Sequence, residues 1–362
     1  MKFSALREDL LSAIQNAQYS TNLKGMMPIL SGVKIETSDD GLVFHSTDLE
    51  SYTITGCAAN ISEAGVCVVN LKVFMDFLRD MGEERIAIEL SGNEMVIEGQ
   101  GGQFRLYTMP AEDFPSVPVV DVPLIQELEC STFIPAVQKV SRAASRDEKR
   151  PTLLGMLLEI GREELNMVST DSYRLAIKKI RQGFKTQEEG QYIIPSAALL
   201  NLGKMAGKAE KVDLYRDENG GQVRFRVGAC DYIIRLIEGK FPKYSQFIPE
   251  DFEKNAEVNK EQMAGALKRA ALISSTIRLT IDGAGLTITS ESREVGEGKE
   301  KIAASYNGEE MDIAFNSRFL EDGITCIDGE EVLLGLSEAL KPGIIKEKKD
   351  EDFLYIIMPI RI

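Results

Sequence analysis

The chain has 362 residues, 43% of them hydrophobic and 27% charged, with a formal net charge of −15. At about 150 residues per domain, that length predicts two or three domains. No apolar run approaches the ~18 residues of a membrane span and Met1-Lys2-Phe3-Ser4 does not begin a signal peptide, so a cytosolic protein is expected. The five cysteines, Cys57, Cys67, Cys130, Cys230 and Cys326, form no C-x-x-C pair, which argues against a disulfide framework and a structural zinc site. Taken alone, the acidic balance argues against a nucleic-acid partner.

In chain order, the first third begins with an amphipathic helical stretch from Leu6 to Tyr19. A turn at Asp39-Asp40-Gly41 leads into the alternating strand Leu42 to Ser46, which continues as Thr47-Asp48-Leu49. A second helix is expected from Asn70 to Met81 and an alternating strand from Gln103 to Thr108. The Pro-rich stretch Pro110 to Pro123 then marks a junction. The second third repeats the order, with a helix from Phe133 to Arg150, a strand Leu165 to Ser169 running into Thr170-Asp171-Ser172, a helix from Pro195 to Ala209 and a strand Gln222 to Val227. After a second junction at Pro242 to Pro249, the last third has helices at Gln262 to Thr276 and Asn316 to Ile324, with the strand Leu286 to Ser290 between them. Thr47 and Thr170 are 123 residues apart, and Ser169 and Ser290 are 121 apart. A period near 120 is domain-sized, and it predicts three α+β repeats with helices gathered on one face of antiparallel sheets. The expected boundaries are 1–122, 123–246 and 247–362.

The six helical stretches together carry +5, so the rest of the chain carries −20. Lys139, Arg142, Arg146 and Lys149 follow i, i+3, i+7, i+10, which would put four cations on one helix face opposite Ile134, Val137, Val140 and Ala144. Lys204, Lys208 and Lys211 repeat the arrangement on the neighbouring helix. A solvated basic face is the simplest explanation for one helix. If helices of three equivalent modules shared a channel, that channel would be basic within an acidic shell and would suit a polyanion held by salt-dependent phosphate contacts. The chain ends on Tyr355-Ile356-Ile357-Met358-Pro359-Ile360-Arg361-Ile362, an apolar β-type run interrupted by a proline that cannot donate to a ladder. It reads either as a final core strand or as one wall of a docking groove.

Catalytic constellations are lacking in the sequence. His45 is the only histidine, which leaves no His-based triad or multi-His metal site. Gly203 to Ala209 echoes a phosphate loop but has three residues between its glycines and ends in Ala. Ser31-Gly32-Val33-Lys34 has the S-x-x-K form without a Lys-Thr-Gly partner. Asp48 and Asp171 could serve carboxylate chemistry, yet as equivalent residues of different repeats they would lie too far apart to cooperate. Neither an enzyme nor a cofactor is expected, and a repeat scaffold that binds only proteins is the alternative reading.

Several distinct motifs are spread along the whole chain: Pro28-Ile29-Leu30, Ser46-Thr47-Asp48-Leu49-Glu50, Gly155-Met156-Leu157, Thr170-Asp171-Ser172-Tyr173-Arg174-Leu175-Ala176, Gly239-Lys240-Phe241-Pro242-Lys243-Tyr244, Phe315-Asn316 and the terminal Met358-Pro359-Ile360-Arg361-Ile362. In combination they resemble the family of bacterial DNA polymerase III β subunits, the β sliding clamps. The resemblance implies three clamp domains per crescent protomer, with helices lining the inner face and sheets outside. Two protomers would join head to tail as a ring around duplex DNA, without sequence specificity, as a processivity factor. It also implies a groove between domains 2 and 3 for peptides of the replicative polymerase, clamp loader and repair proteins. Its expected lining is Leu153, Thr170, Tyr173, Arg174, Leu175, Pro242, Phe247, Ile356 and Met358, flanked by Asn316, Phe319, Leu340, Pro359, Ile360 and Arg361. DNA contacts carry over to Lys24, Lys72, Lys139, Arg142, Arg146, Lys149, Arg150, Lys204 and Lys208. The protomer contact carries over to Phe104 and Leu106 against Leu272 and Ile273. Two departures stand out: Ser172-Tyr173 replaces a Gly-His pair, and Gln246-Phe247 replaces an Arg-Val pair, which implies a narrower or differently gated pocket.

Overall fold

In a computed structural model of the chain, residues 1–22, 27–99, 102–116, 124–181, 189–217, 220–249 and 252–361 are described; Lys24, Ile362 and the 117–123 half of the first Pro-rich junction lie outside them. Seven α-helices occur among the described residues: α1 (Arg7–Ala17), α2 (Leu71–Asp80), α3 (Cys130–Val140), α4 (Pro151–Leu154), α5 (Ser196–Ala206), α6 (Lys260–Ala271) and α7 (Ser317–Thr325). Apart from the single-turn α4, they fall into three pairs separated by four or five strands, and three further strands follow each pair. The structure adds a strand that periodicity had not disclosed. Lys2–Leu6, Leu124–Glu129 and Lys254–Asn259 each precede the first helix of a pair. Each pairs antiparallel with the strand after the second helix: Arg85–Ser91, Lys211–Arg216 and Glu331–Leu336 respectively. The three modules therefore share topology as well as element order.

Local chemistry explains the repetition. Asn70, Asn259 and Asn316 each cap a helix, accepting from the backbone N–H of Val73, Gln262 and Phe319 at 3.0–3.1 Å. Such a cap satisfies a donor that the helix start leaves orphaned, for about 1 kcal/mol. Gly41 and Gly285 open equivalent strands with φ of +141° and +133°, and a side-chain carbon there would meet the carbonyl oxygens of Cys57 and Ile302 at 2.3 and 2.6 Å. Only glycine fits.

The stretch from Phe133 to Arg150 is not one helix. It is α-helical only to Val140, passes through a 3₁₀ turn at Ser141–Ala143 and becomes extended at Ala144. Ser145 Oγ accepts from Asp147 N, Asp147 Oδ1 accepts from Lys149 N, and Ser145 N donates to Leu153 O, so short side chains and a distant carbonyl take over the backbone bonding. Pro151 also biases Arg150 away from helix. Arg146 and Lys149 thus sit on a loop, and the four-cation helical face is not formed.

By packing, the described residues divide into two compact units: Met1–Ser131 with Ala198–Leu236, and Thr132–Ala197 with Ile237–Ile362. In the first, Leu10 and Ile14 of α1 and Phe74 and Leu78 of α2 pack with Val33, Phe44, Ile88 and Ile97 of the strands in one fully buried core. Cys230–Arg235 pairs with Ser51–Cys57, joining strands of the first and second modules in one sheet. In the second unit, Arg174–Ile180 pairs with Phe353–Ile357, joining strands of the second and third modules. One face of that joint sheet, with Leu157, Val168, Leu175, Ile193, Ile344 and Ile356, is covered by Ile237, Phe241, Tyr244, Ile248 and Phe252. The 237–252 segment and the strand seam together set up the site.

Candidate functional site

At the seam, Leu175 lies opposite Ile356. Thr170, Ser172, Arg174, Leu175, Pro242, Tyr244, Phe247, Ile356 and Met358 surround a pocket of about 160 Å³. Apolar side chains make most of its wall, and Phe247 (51% exposed) and Met358 (39%) stand open at the surface. A pocket of about this volume accommodates a benzene-sized group. It is suited to one large apolar side chain.

The Thr-Asp motif builds the turn at its mouth. Thr170 Oγ1 donates to Arg174 O, while Asp171 Oδ1 accepts from the N–H groups of Tyr173 and Arg174. Thr47 and Asp48 make the same bonds to Ser51 O and to the N–H groups of Glu50 and Ser51. Leu49 and Ser172 hold the matching left-handed position, with φ of 76° and 79°. These two residues other than glycine occupy a conformation that costs about 1–3 kcal/mol. Both aspartates are consumed in turns, which explains their recurrence without catalysis.

Arg174 is a buried, paired charge. It is 9% exposed, its Nε donates to Asp171 Oδ2 at 2.9 Å, and its Nη1 donates to Asp322 Oδ2 at 2.5 Å and Tyr355 Oη at 3.3 Å. The guanidinium also lies 4.2 Å from the ring centroid of Phe319. Desolvation would lower its pKa, but the carboxylates of Asp322 and Asp171 and the bond to the Tyr355 hydroxyl outweigh it and hold the pKa above its ordinary value. Arg142 Nη1 reaches the other oxygen of Asp322 at 3.4 Å. Asp322, which sequence reasoning had not singled out, binds both arginines; a lone carboxylate on an amphipathic helix carries no signal of that role. Ser172 and Tyr244 also line the pocket beyond the residues expected there.

The flanking positions are spread around the same unit. Tyr173 is 61% exposed and stacks on Phe319, with centroids 6.5 Å apart. Asn316 caps α7. The tail beyond Ile357 leaves the ladder but stays pinned: Met358 N donates to Tyr173 O and Ile360 N to Ala314 O, both at 2.8 Å. Pro359 and Ile360 are half-buried, Arg361 and Leu340 are exposed, and Leu153 is buried. Leu153 and Tyr173, both expected in the lining, do not line the pocket itself, nor do Asn316, Phe319, Leu340 and the residues after Met358. Arg150 donates to Asp147 and to Ser172 Oγ.

The cations expected at DNA fall into two groups. Lys139 is held by Asp328 at 2.5 Å and lies against Phe353, and Arg142 is held by Asp322. Arg146 and Lys149 are exposed, with no side-chain partner among the described residues. In the other unit, Lys72 and Lys208 are exposed, and Lys204 lies 5.5 Å from the Tyr19 ring. Of the four residues expected between protomers, Phe104 is 45% exposed against Phe77, beside a cleft of about 650 Å³. Leu106 lies in the core, Leu272 just after α6 is 78% exposed, and Ile273 is half-buried. His45 is buried with Nε2 2.9 Å from Glu36 Oε1. Among the described residues no group of three or more His, Cys, Asp or Glu side chains is placed to hold a metal ion, and no helix is long and apolar enough to cross a membrane.

Models of the DNA polymerase III beta subunit match three consecutive stretches of the chain: its N-terminal domain over residues 1–118, its central domain over 127–243 and its C-terminal domain over 245–361. The chain belongs to this family. A beta sliding clamp of Chlamydia pneumoniae is 32% identical, with 100% of this chain and 99% of that protein covered, and one of Chlamydia muridarum is 31% identical over 100% and 99%. Among solved structures, a DNA polymerase sliding clamp from Bacillus subtilis aligns with a TM-score of 0.94 at 25% identity, covering 100% of this chain and 99% of that one. A DNA polymerase III subunit beta from Pseudomonas aeruginosa aligns at 0.93 and 27%, covering 100% of both. The three α+β modules are thus the three clamp domains of this family, and the function is that of a DNA sliding clamp acting as a processivity factor.

Proposed function

We propose that the chain forms a head-to-tail homodimeric ring around duplex DNA and recruits partner proteins through the pocket at the seam of the second and third domains, with boundaries at 1–122, 123–246 and 247–362. In this reading Phe104 of one protomer, backed by Leu106 in the core, faces Leu272 and Ile273 of the other, and two equivalent contacts close the ring without open ends. Topology holds the ring on DNA, so phosphate contacts stay weak and no base is read. Lys24, Lys72, Lys139, Arg142, Arg146, Lys149, Arg150, Lys204 and Lys208 supply those contacts, with Arg146 and Lys149 the most available. The groove takes peptides of the replicative polymerase, clamp loader and repair proteins. It performs no catalysis and needs no cofactor, and its place is the nucleoid in the cytoplasm. The supporting observation is the pocket itself, where Leu175, Ile356, Pro242, Phe247 and Met358 converge from segments up to 183 residues apart in sequence. Protein loaded by a clamp loader onto a nicked circular duplex should remain bound in salt that strips phosphate contacts, and should be lost once the circle is linearised. Equal loss from both forms would refute the ring.

A further inference from the structure

Pro242 and Tyr244 line the apolar pocket on one side and a second, larger cleft of about 630 Å³ on the other. The two lie side by side, with this ridge as their common wall. Leu157, Ile193 and Phe241 give the second cleft apolar surface, and Lys240 and Lys243 stand at it exposed. Among the described residues neither lysine has an ion-pair or hydrogen-bond partner. Among the described residues Glu159 is the one carboxylate lining the cleft, and both its oxygens are hydrogen-bonded: Oε1 accepts from Gln191 Nε2 at 2.7 Å and Oε2 from Tyr244 Oη at 2.5 Å. That bond anchors the ridge and holds the carboxylate in place, while the two lysines are cations without a partner.

Arg174, the cation of the first pocket, is buried between Asp171 and Asp322 and unavailable to a ligand. On the side of the Pro242/Tyr244 ridge, the unpaired cations are Lys240 and Lys243. In a chain of net charge −15, two unpaired lysines beside an apolar anchor site favour an acidic neighbour to that anchor. A cleft of this volume also holds more than one side chain.

We propose that the Lys240/Lys243 cleft receives an acidic flank of the same peptide whose apolar anchor fills the Pro242/Met358 pocket. This rests on the groove reading above. The test uses three fluorescent peptides with one apolar anchor: one flanked by glutamines, one with two glutamates before the anchor and one with two glutamates after it. Polarisation on the full-length protein should show one acidic peptide binding about fivefold tighter than the neutral one at low salt, with the gain fading as salt rises. In Lys240→Glu/Lys243→Glu that gain should vanish or reverse while the neutral peptide binds unchanged. Equal affinities for all three peptides, or a gain that survives charge reversal, overturns the proposal and leaves the groove standing. If no peptide binds, the groove reading fails and this proposal fails with it.

Discussion

Replacing Arg174 by alanine tests the most heavily bonded side chain of the site. The change removes bonds to Asp171 and Asp322, a long contact to Tyr355 and the stack on Phe319. Breaking one partner of a buried ion pair costs about 3–5 kcal/mol, because the remaining charge is stranded. Here the stranded groups keep some support. Asp171 retains two backbone N–H donors, Asp322 retains Arg142, and Tyr355 Oη still donates to Phe319 O. The loss should therefore be about 2–3 kcal/mol, or a fall of about 1 M in the urea midpoint followed by circular dichroism. Arg142→Gln is the control: its pair with Asp322 is 42% exposed on the arginine side and should be worth at most about 1 kcal/mol. Because the cost arises from uncompensated charge, Arg174→Met with Asp322→Asn should recover much of the loss. A loss under about 1 kcal/mol for Arg174→Ala, or no recovery in the double variant, would refute this account.

Two further outcomes follow from the same geometry. Arg146→Glu/Lys149→Glu should leave the urea midpoint unchanged, since neither side chain is paired, yet weaken DNA binding and flatten its salt dependence by about two phosphate contacts; an unchanged slope of log affinity against log salt counts against these residues meeting DNA. Asp350 accepts from Lys178 Nζ at 2.8 and 3.0 Å. Desolvation raises its pKa, but the hydrogen bond and charge of Lys178 outweigh it and hold the carboxyl below its ordinary value. A depressed folded pKa contributes stability above the unfolded value near 4 that disappears as pH falls through the folded one. Asp350→Asn should thus be less stable than the parent near neutral pH and should converge with it in acid, measured by urea midpoints from pH about 7 to about 3; a constant gap across that range refutes the linkage.

The modular plan was legible in the sequence because its causes are local. Thr47-Asp48 and Thr170-Asp171 each close a turn within five residues, Asn70 and Asn316 each cap the helix that follows, and the alternating strands carry their own period. The strands ahead of α1, α3 and α6 were missed because each merges into an amphipathic helix without a turn between them. The helix expected through Arg150 failed for a related reason: serine and aspartate hydroxyl and carboxyl groups at 145–147 compete for the backbone more effectively than periodicity suggests.

The amino-acid order alone thus determined three like modules, the apolar character of the final strand and the residue types available to a pocket. Tertiary structure decided which of them meet. Pairing of Arg174–Ile180 with Phe353–Ile357 brings Leu175 beside Ile356, and the bond from Met358 N to Tyr173 O fixes the tail across the turn. It also carried Arg174 beyond its chain neighbour Asp171 to a second carboxylate, Asp322, because a guanidinium removed from water must be matched by carboxylates wherever along the chain they lie.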